Sequence, residues 1–354
     1  DQAKKRYLYH DGKLQVLPHS LKSFVASPYL GLFLKAFYKD LSAQKVATDE
    51  TIAAFVDRHF GEKFRVLFFD SLVSGVWAGD ATKMSVSAAF PILKKLELKR
   101  GSLLKSLVGH KSDVSDSKQY PKEITSKALF SFKGGVQTLT DTLRDVLADF
   151  IEYDVKIQKI DFSDKVEIAL EGSSICVDEL TSTIPAYELS AFVIPDLAMV
   201  LDSIFYAPVA VLNLILPKSE LSFDGFGFLV PSKEKSVVLG MVANSNTFPS
   251  HAAPNKSVHT VMMGGARYSL EELNAMDLKK EAISFLNGVF GKPLFIEGQE
   301  LILMSKAIPQ YELGHVDKVR QIEVLSPSNL KVLGNYMYGV SLIDIITKSR
   351  DLAK

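Results

Sequence analysis

The spacing of hydrophobic and polar positions changes twice along the chain. RYLYHDGKLQVLP (6–18) alternates on both sides of Asp11-Gly12, the pattern of two short strands joined by a tight hairpin. From there to about residue 108 the apolar positions recur at helical spacing. Ser27-Pro28 supplies an N-cap and a first-turn proline for YLGLFLKAFYKDL, and Thr48-Asp49-Glu50 opens TIAAFVDRHFG, which stops at Gly61. Further helices are expected within 62–73 and 83–108. The polar stretch 109–127 has no period and reads as a linker. Past 130, FSFKGGVQTLTDTLRDVL predicts a glycine turn into a helix, and residues 151–185 predict short alternating strands. AFVIPDLAMVLDSIFYAPVAVLNLILP (191–217) predicts a helix and then a strand, because Pro195, Asp196, Asp202 and Pro208 break any membrane-spanning helix. Strands recur in FGFLVP, SVVLGMVA and VHTVMMGG. A helix over SLEELNAMDLKKEAISFLNGVFG and a strand near ELILMSKAIP follow. The tail GNYMYGVSLIDIITKSRDLAK predicts a glycine turn feeding an amphipathic helix. The class is α/β or α+β with an all-helical insertion.

Composition narrows the function. With 354 residues, 47% apolar and 23% charged, the chain has room for two or three domains. Zero formal charge argues against nucleic acid as a partner. Residues 1–112 hold 18 Lys and Arg against 10 Asp and Glu, leaving 23 against 31 for the rest, so a basic first part is available to anionic lipid or an acidic ligand. The single cysteine, Cys176, excludes an internal disulfide, and its SSICV setting predicts a buried small hydrophobe. The seven histidines lack metal-ligand spacing, and neither a GxSxG elbow nor a P-loop is present. GFGF (225–228), with two glycines between strand signals, reads as a tight bend. What remains is a set of glycine turns at Gly134-Gly135, Gly225/Gly227, Gly264-Gly265, Gly334 and Gly339. A helix entered through glycines, as after Gly339, suits a phosphate or the edge of a flavin ring. Its usual partner, a strand followed by GxGxxG near the start, is not in the sequence.

Seven words in chain order carry a resemblance: FFDSLVSGVWAGDATKMSVSAAFPILKKLE (68–97), SFKGGVQTL (131–139), STIPAYELS (182–190), GFGFLVPS (225–232), VLGMVANSNTFP (238–249), IPQYELGH (308–315) and GNYMYGVSLIDII (334–346). Together they resemble the protoporphyrinogen oxidase family of the flavin amine-oxidase-like superfamily, over essentially the whole chain. SGVWAGD, GFGFLVP and IPQYELGH are the most specific of them. The resemblance implies a p-hydroxybenzoate-hydroxylase-like FAD fold with a mixed-sheet substrate domain and a helical membrane-binding domain. The implied division is 1–111 helical membrane-binding and substrate-entry domain, its first few residues in the substrate domain; 112–177 part of the FAD-binding domain; 178–191 substrate domain; 192–223 membrane-binding domain; 224–325 substrate-binding domain; and 326–354 the C-terminal part of the FAD-binding domain. In the family a strand, a glycine fingerprint and an acidic residue precede the RYLYHDGKL word. A βαβ unit of about 30 residues or more is therefore expected ahead of residue 1.

The implied chemistry resides on FAD, which takes hydride from a methylene bridge of a tetrapyrrole and passes electrons to dioxygen, giving hydrogen peroxide. No side chain is expected to act as a catalytic acid or base, and no metal is expected. By the resemblance Arg6 pairs with a substrate propionate, Gly75 lies near a pyrrole ring, and Leu229, Val242 and Met262 sandwich the rings. Ile157, Gly334, Gly339, Val340, Ser341 and Leu342 are assigned to FAD. Trp77 and Tyr336 are read as buried structural aromatics. Protoporphyrinogen IX is the expected substrate; a coproporphyrinogen oxidase of the same fold and a cofactor-free porphyrin-binding remnant stay open as alternatives. Peripheral attachment to an inner membrane, bacterial or organellar, is expected through the helix at 27–41, with Tyr29, Leu30, Phe33, Leu34 and Phe37 toward lipid and Lys35 and Lys39 at the headgroups. Hand-off of product to a ferrochelatase and a homodimer are compatible with the resemblance.

Overall fold

The computed structural model describes residues 5–108 and 131–352, so the expected linker at 109–127 lies outside it. Among the described residues, β1 (Lys5–His10) and β2 (Lys13–Val16) form the opening hairpin. Their turn places Asp11 and Gly12 at φ of 50° and 75°, the left-handed pair that matches the twist of a two-residue hairpin. β3 (Ile157–Asp161), β4 (Val166–Leu170) and β5 (Ser173–Val177) make a separate antiparallel sheet, and β6 (Leu180–Ser182) pairs in parallel with β12 (Leu330–Val332). β7 (Tyr206–Pro217), β8 (Gly225–Leu229), β9 (Val238–Val242), β10 (Lys256–Gly264) and β11 (Gly298–Pro309) join the hairpin in a seven-stranded sheet of order β11-β7-β10-β9-β8-β1-β2. Its single parallel pairing is β1 on β8, which sets Arg6 beside Gly227 and Leu8 beside Leu229. β7 runs through the 192–223 segment and is hydrogen-bonded on both sides within this sheet.

One face of the sheet is sealed by the helix Leu278–Phe290. Leu278, Ala282 and Leu286 fall on one helical stripe and are buried against Leu212, Phe228, Met241, Val261 and Met263. Asp277 caps that helix by accepting from the Lys280 backbone N–H, and this cap splits the expected single helix into Leu270–Ala275 and Leu278–Phe290. Helices cover part of the other face. In them Phe55, Val56, Phe64, Val73, Trp77 and Met84 form a second core. A buried polar network runs through this part: His59 lies between Asp40 and Glu97, and Lys94 and Arg58 pair with Glu97 and Glu50. Burial pushes the Asp40 carboxyl up, but hydrogen bonds from His59, Ser102, Leu104 and Leu103 outweigh it and hold it at about 2.

Several expectations shift. The helix Leu30–Leu41 follows Tyr29, and Ser27 caps only the turn before it. Thr51 caps Ile52–His59, because the Asp49 carboxylate is engaged by the Ser85 hydroxyl at 2.8 Å. GFGF is no bend: it forms most of β8. Cys176 is exposed, since β5 is the edge of a sheet with little packed on its faces. The helix His315–Leu325 and β12 have no counterpart in the sequence reading; that helix buries only His315 and Ile322, too few positions to show a stripe.

Tyr29 and Phe33 turn inward. Tyr29 is buried against Phe68, and Phe33 contacts Phe24, Phe37, Phe64 and Phe68. Phe37 packs on Phe24 and Phe33, whereas Leu34 does face solvent, with Tyr38 and Leu41 beside it on that side of the helix.

Two histidines make the fold sensitive to acid. Burial pushes His259 and His315 down to about 4 from an ordinary 6.5. Between those values the unfolded chain takes up protons that the folded chain refuses, so stability is full above pH 6.5 and falls as pH drops toward 4, by about 1.4 kcal/mol per pH unit for each group. Urea unfolding between pH 7 and 4.5 is expected to be less steeply pH-dependent in His259→Gln than in the wild type; parallel profiles would contradict this reading.

Candidate functional site

The open face of the seven-stranded sheet holds an apolar cavity of about 360 Å³. Cross-strand register builds its floor in two rows. In one, Arg6, Gly227 and Val242 are successive neighbours on β1, β8 and β9; in the other, Leu229, Gly240 and Met262 are neighbours on β8, β9 and β10. Each row contains a glycine, and the missing side chains leave room above the sheet. The helix Asp70–Trp77 forms the roof through Leu72, Gly75 and Val76. Thus Arg6, Gly75, Leu229, Val242 and Met262 all line one cavity. At Gly75 a Cβ would meet the end of the Leu229 side chain, which would have to turn aside within the cavity. Among the described lining residues no carboxylate, imidazole or thiol occurs. Arg6 is exposed, with its guanidinium 5.5 Å from the centroid of the Phe226 ring and no acidic partner among the described residues. Among the described residues nothing competes with an anionic group for its guanidinium.

Trp77, the last residue of the same helix, faces a second cleft of about 500 Å³. Gly339, Val340 and Ser341 line it, with Ala88, Ala89, Tyr311, His315 and Asp344. Three of the six residues assigned to the cofactor thus come together. Gly334 lies behind, against the Tyr336 ring; Leu342 is half exposed and outside the lining; and Ile157 stands exposed on β3, away from both cavities. Tyr336 is fully buried, and Trp77 is buried while also forming a wall.

Residues 1–305 match the sequence pattern of the flavin containing amine oxidoreductase family. The chain belongs to that family. It is similar to protoporphyrinogen oxidase of Bos taurus, with 30% identity over 381 residues, 99% of this chain and 78% of that protein. It is also similar to the Homo sapiens protoporphyrinogen oxidase (29%, 99% and 78%) and to the mitochondrial one of Nicotiana tabacum (27%, 96% and 75%). A putative protoporphyrinogen oxidase from Exiguobacterium sp. 255-15 shares the fold at a TM-score of 0.79 and 18% identity, over 99% of this chain and 81% of that one. Reduced UDP-galactopyranose mutase does so at 0.65 and 13%, over 95% and 72%.

A flavin containing amine oxidoreductase is a flavin-dependent oxidoreductase, and the second cleft fits one edge of such a ring. At Gly339 φ is 126°, and a Cβ would come within 2.5 Å of an Asp344 oxygen, so only bare backbone is accommodated there. Trp77, Ala88 and Ala89 supply flat or small apolar walls. The same geometry disfavours phosphate at the helix Leu342–Leu352. Asp344 already accepts from the Ser341 N–H at 3.3 Å and hydroxyl at 2.6 Å, so a phosphate would meet a carboxylate. The S-x-x-D spacing of Ser341 and Asp344 is a capping signal visible in the sequence. Gly227 and Gly240 had no such signal, because their role depends on cross-strand register.

The cavity's glycines differ in what surrounds them. At Gly227 a Cβ would meet the Met241 backbone carbonyl, which cannot move without breaking β8 from β9; at Gly75 it meets a side chain that can rotate. Gly227→Ala is expected to cost about 2 kcal/mol or more of stability, and Gly75→Ala to change it by less than about 1 kcal/mol, since helix propensity favours alanine. Equal losses in denaturant unfolding would contradict this cavity geometry.

Proposed function

We propose that the protein oxidises protoporphyrinogen IX to protoporphyrin IX with FAD as its cofactor and dioxygen as the final acceptor, releasing hydrogen peroxide. One observation carries the reading: five separated residues converge on an apolar cavity with one cation that has no acidic partner among the described residues, and a single helix joins that cavity to the glycine-lined cleft. When bound, FAD accepts the hydride that leaves the substrate. The chain's own residues hold and shield. Leu229, Val242 and Met262 offer an apolar surface to a tetrapyrrole, the roof helix excludes water, and Arg6 binds a carboxylate at the edge. A cavity with one cation suits a substrate with two propionates better than one with four. The relatives named protoporphyrinogen oxidase support the same choice.

Complete FAD binding requires a pyrophosphate cradle. Val136, Leu143, Val146 and Phe150 around the helix Gln137–Val146, and Ile343 and Ile346 on the helix Leu342–Leu352, present apolar side chains to solvent. These faces are suited to cover by a dinucleotide-binding βαβ segment. The chain spans about four-fifths of the length of the mammalian relatives it matches.

Membrane attachment belongs to the same proposal. Among the described residues no helix is long and apolar enough to cross a membrane. The exposed row of Leu34, Tyr38 and Leu41, with Lys35 and Lys39 exposed on the same helix, has the character of a face lying on lipid.

Arg6→Ala is expected to raise KM for protoporphyrinogen by the equivalent of roughly 1 to 3 kcal/mol of lost binding while kcat changes little, because the carboxylate is remote from the reacting methylene. An unaltered KM would remove Arg6 from the site. Liposome flotation of a variant with Leu34 and Tyr38 changed to Ser is expected to show loss of lipid association. Retained flotation of the folded variant would place the contact elsewhere.

A further inference from the structure

The IPQYELGH word (308–315) contributes Tyr311, to which the functional reading gives no task. Its ring is buried between Trp77, 4.9 Å away at 58°, and His315, stacked at 4.0 Å and 13°. Its hydroxyl reaches both ends of the glycine turn that enters the C-terminal helix. It donates to the Asn335 carbonyl at 2.5 Å and accepts from the Gly339 N–H at 2.9 Å. Between those ends, His315 Nε2 lies 2.9 Å from the Tyr336 carbonyl. The turn therefore hangs from two side chains of one segment, and its own closing bond, Met337 N–H to Gly334 carbonyl at 3.0 Å, does not reach Gly339. Burial pushes the Tyr311 phenol above its ordinary range, so it stays protonated and keeps both donor and acceptor roles.

We propose that Tyr311 is a positioning residue: by bridging Asn335 and Gly339 through one hydroxyl, it fixes the Gly339–Ser341 backbone in the shape that receives the flavin edge. This rests on the flavin reading of the cleft. Phenylalanine at this position keeps the ring contacts and removes both hydrogen bonds. The released Gly339 amide then samples other orientations, and the cleft is formed for only part of the time.

The test separates the two claims. In chain 1–354 without flavin, exchange of the Gly339 amide with deuterium, read by NMR, is expected to be slow in the wild type and about tenfold or more faster in Tyr311→Phe. With flavin present, Tyr311→Phe is expected to raise the FAD dissociation constant about tenfold, with KM for the porphyrinogen unchanged when FAD is saturating. An unprotected Gly339 amide in the wild type overturns the proposal even if the variant fails to fold. Unchanged exchange, or unchanged FAD affinity, in a folded Tyr311→Phe overturns it too. Failure of the wild-type protein to bind flavin sinks the reading of the cleft, while the amide measurement still decides whether Tyr311 holds the turn.

Discussion

The two cavities share a roof whose position is set by one short segment. Gln310, buried after β11, donates its side-chain amide to the Trp77 carbonyl at 2.9 Å and its backbone N–H to the Phe205 carbonyl at 2.8 Å. Next to it, the Ser85 N–H donates to the Tyr311 carbonyl at 2.8 Å, and the Leu313 N–H to the Lys83 carbonyl at 3.1 Å. These bonds tie the end of the helix Asp70–Trp77 to the residue that leads into β7 and to the strand-like stretch at 83–85. Each is worth about 1 kcal/mol when made and more when left unmade. If they were lost, Gly75 and Trp77 would no longer stand over the sheet and beside the glycine turn, and neither cavity would keep its shape.

The site is built by subtraction. Gly227 and Gly240 take side chains off the sheet, Gly75 takes one off the roof, and Gly339 leaves backbone alone at the second cleft. Among the described residues the lining of the apolar cavity holds no carboxylate, imidazole or thiol, and its one phenol, Tyr7, donates to Asp224, which suits a protein that leaves the electronic work to a cofactor and supplies shape, exclusion of water and one charge. The polar network around His59 sits well inside the helical part, where its paired charges fix the packing of helices without entering either cavity.

The order of elements was legible because period and punctuation agree. Asp11-Gly12, Gly61, Gly135 and Gly291 all end or turn an element where the sequence places a break. Cys176 and GFGF were misread for one reason. Exposure of an edge strand, and the function of a strand glycine, depend on which strands become neighbours, and local spacing does not contain that. Gly334 and Leu342, named from the resemblance, stand outside the glycine-lined cleft because neighbours in sequence need not face the same space, and Ile157, assigned to the adenine side of the cofactor, lies on β3 apart from both cavities. Conversely, Tyr311 and Gln310 lay in a word noted for its specificity, but their tasks became visible only with the partners that their side chains reach.

The central claim is that a tetrapyrrole occupies the apolar cavity beneath the helix Asp70–Trp77. The chain has a single tryptophan, Trp77, two residues from the Gly75 that roofs this cavity. Titration of chain 1–354 with protoporphyrin IX, followed by the fluorescence of Trp77, is predicted to show saturable quenching at one porphyrin per chain, and clearly weaker binding in Gly75→Ala. Quenching that never saturates, or that is the same in Gly75→Ala, would contradict the account.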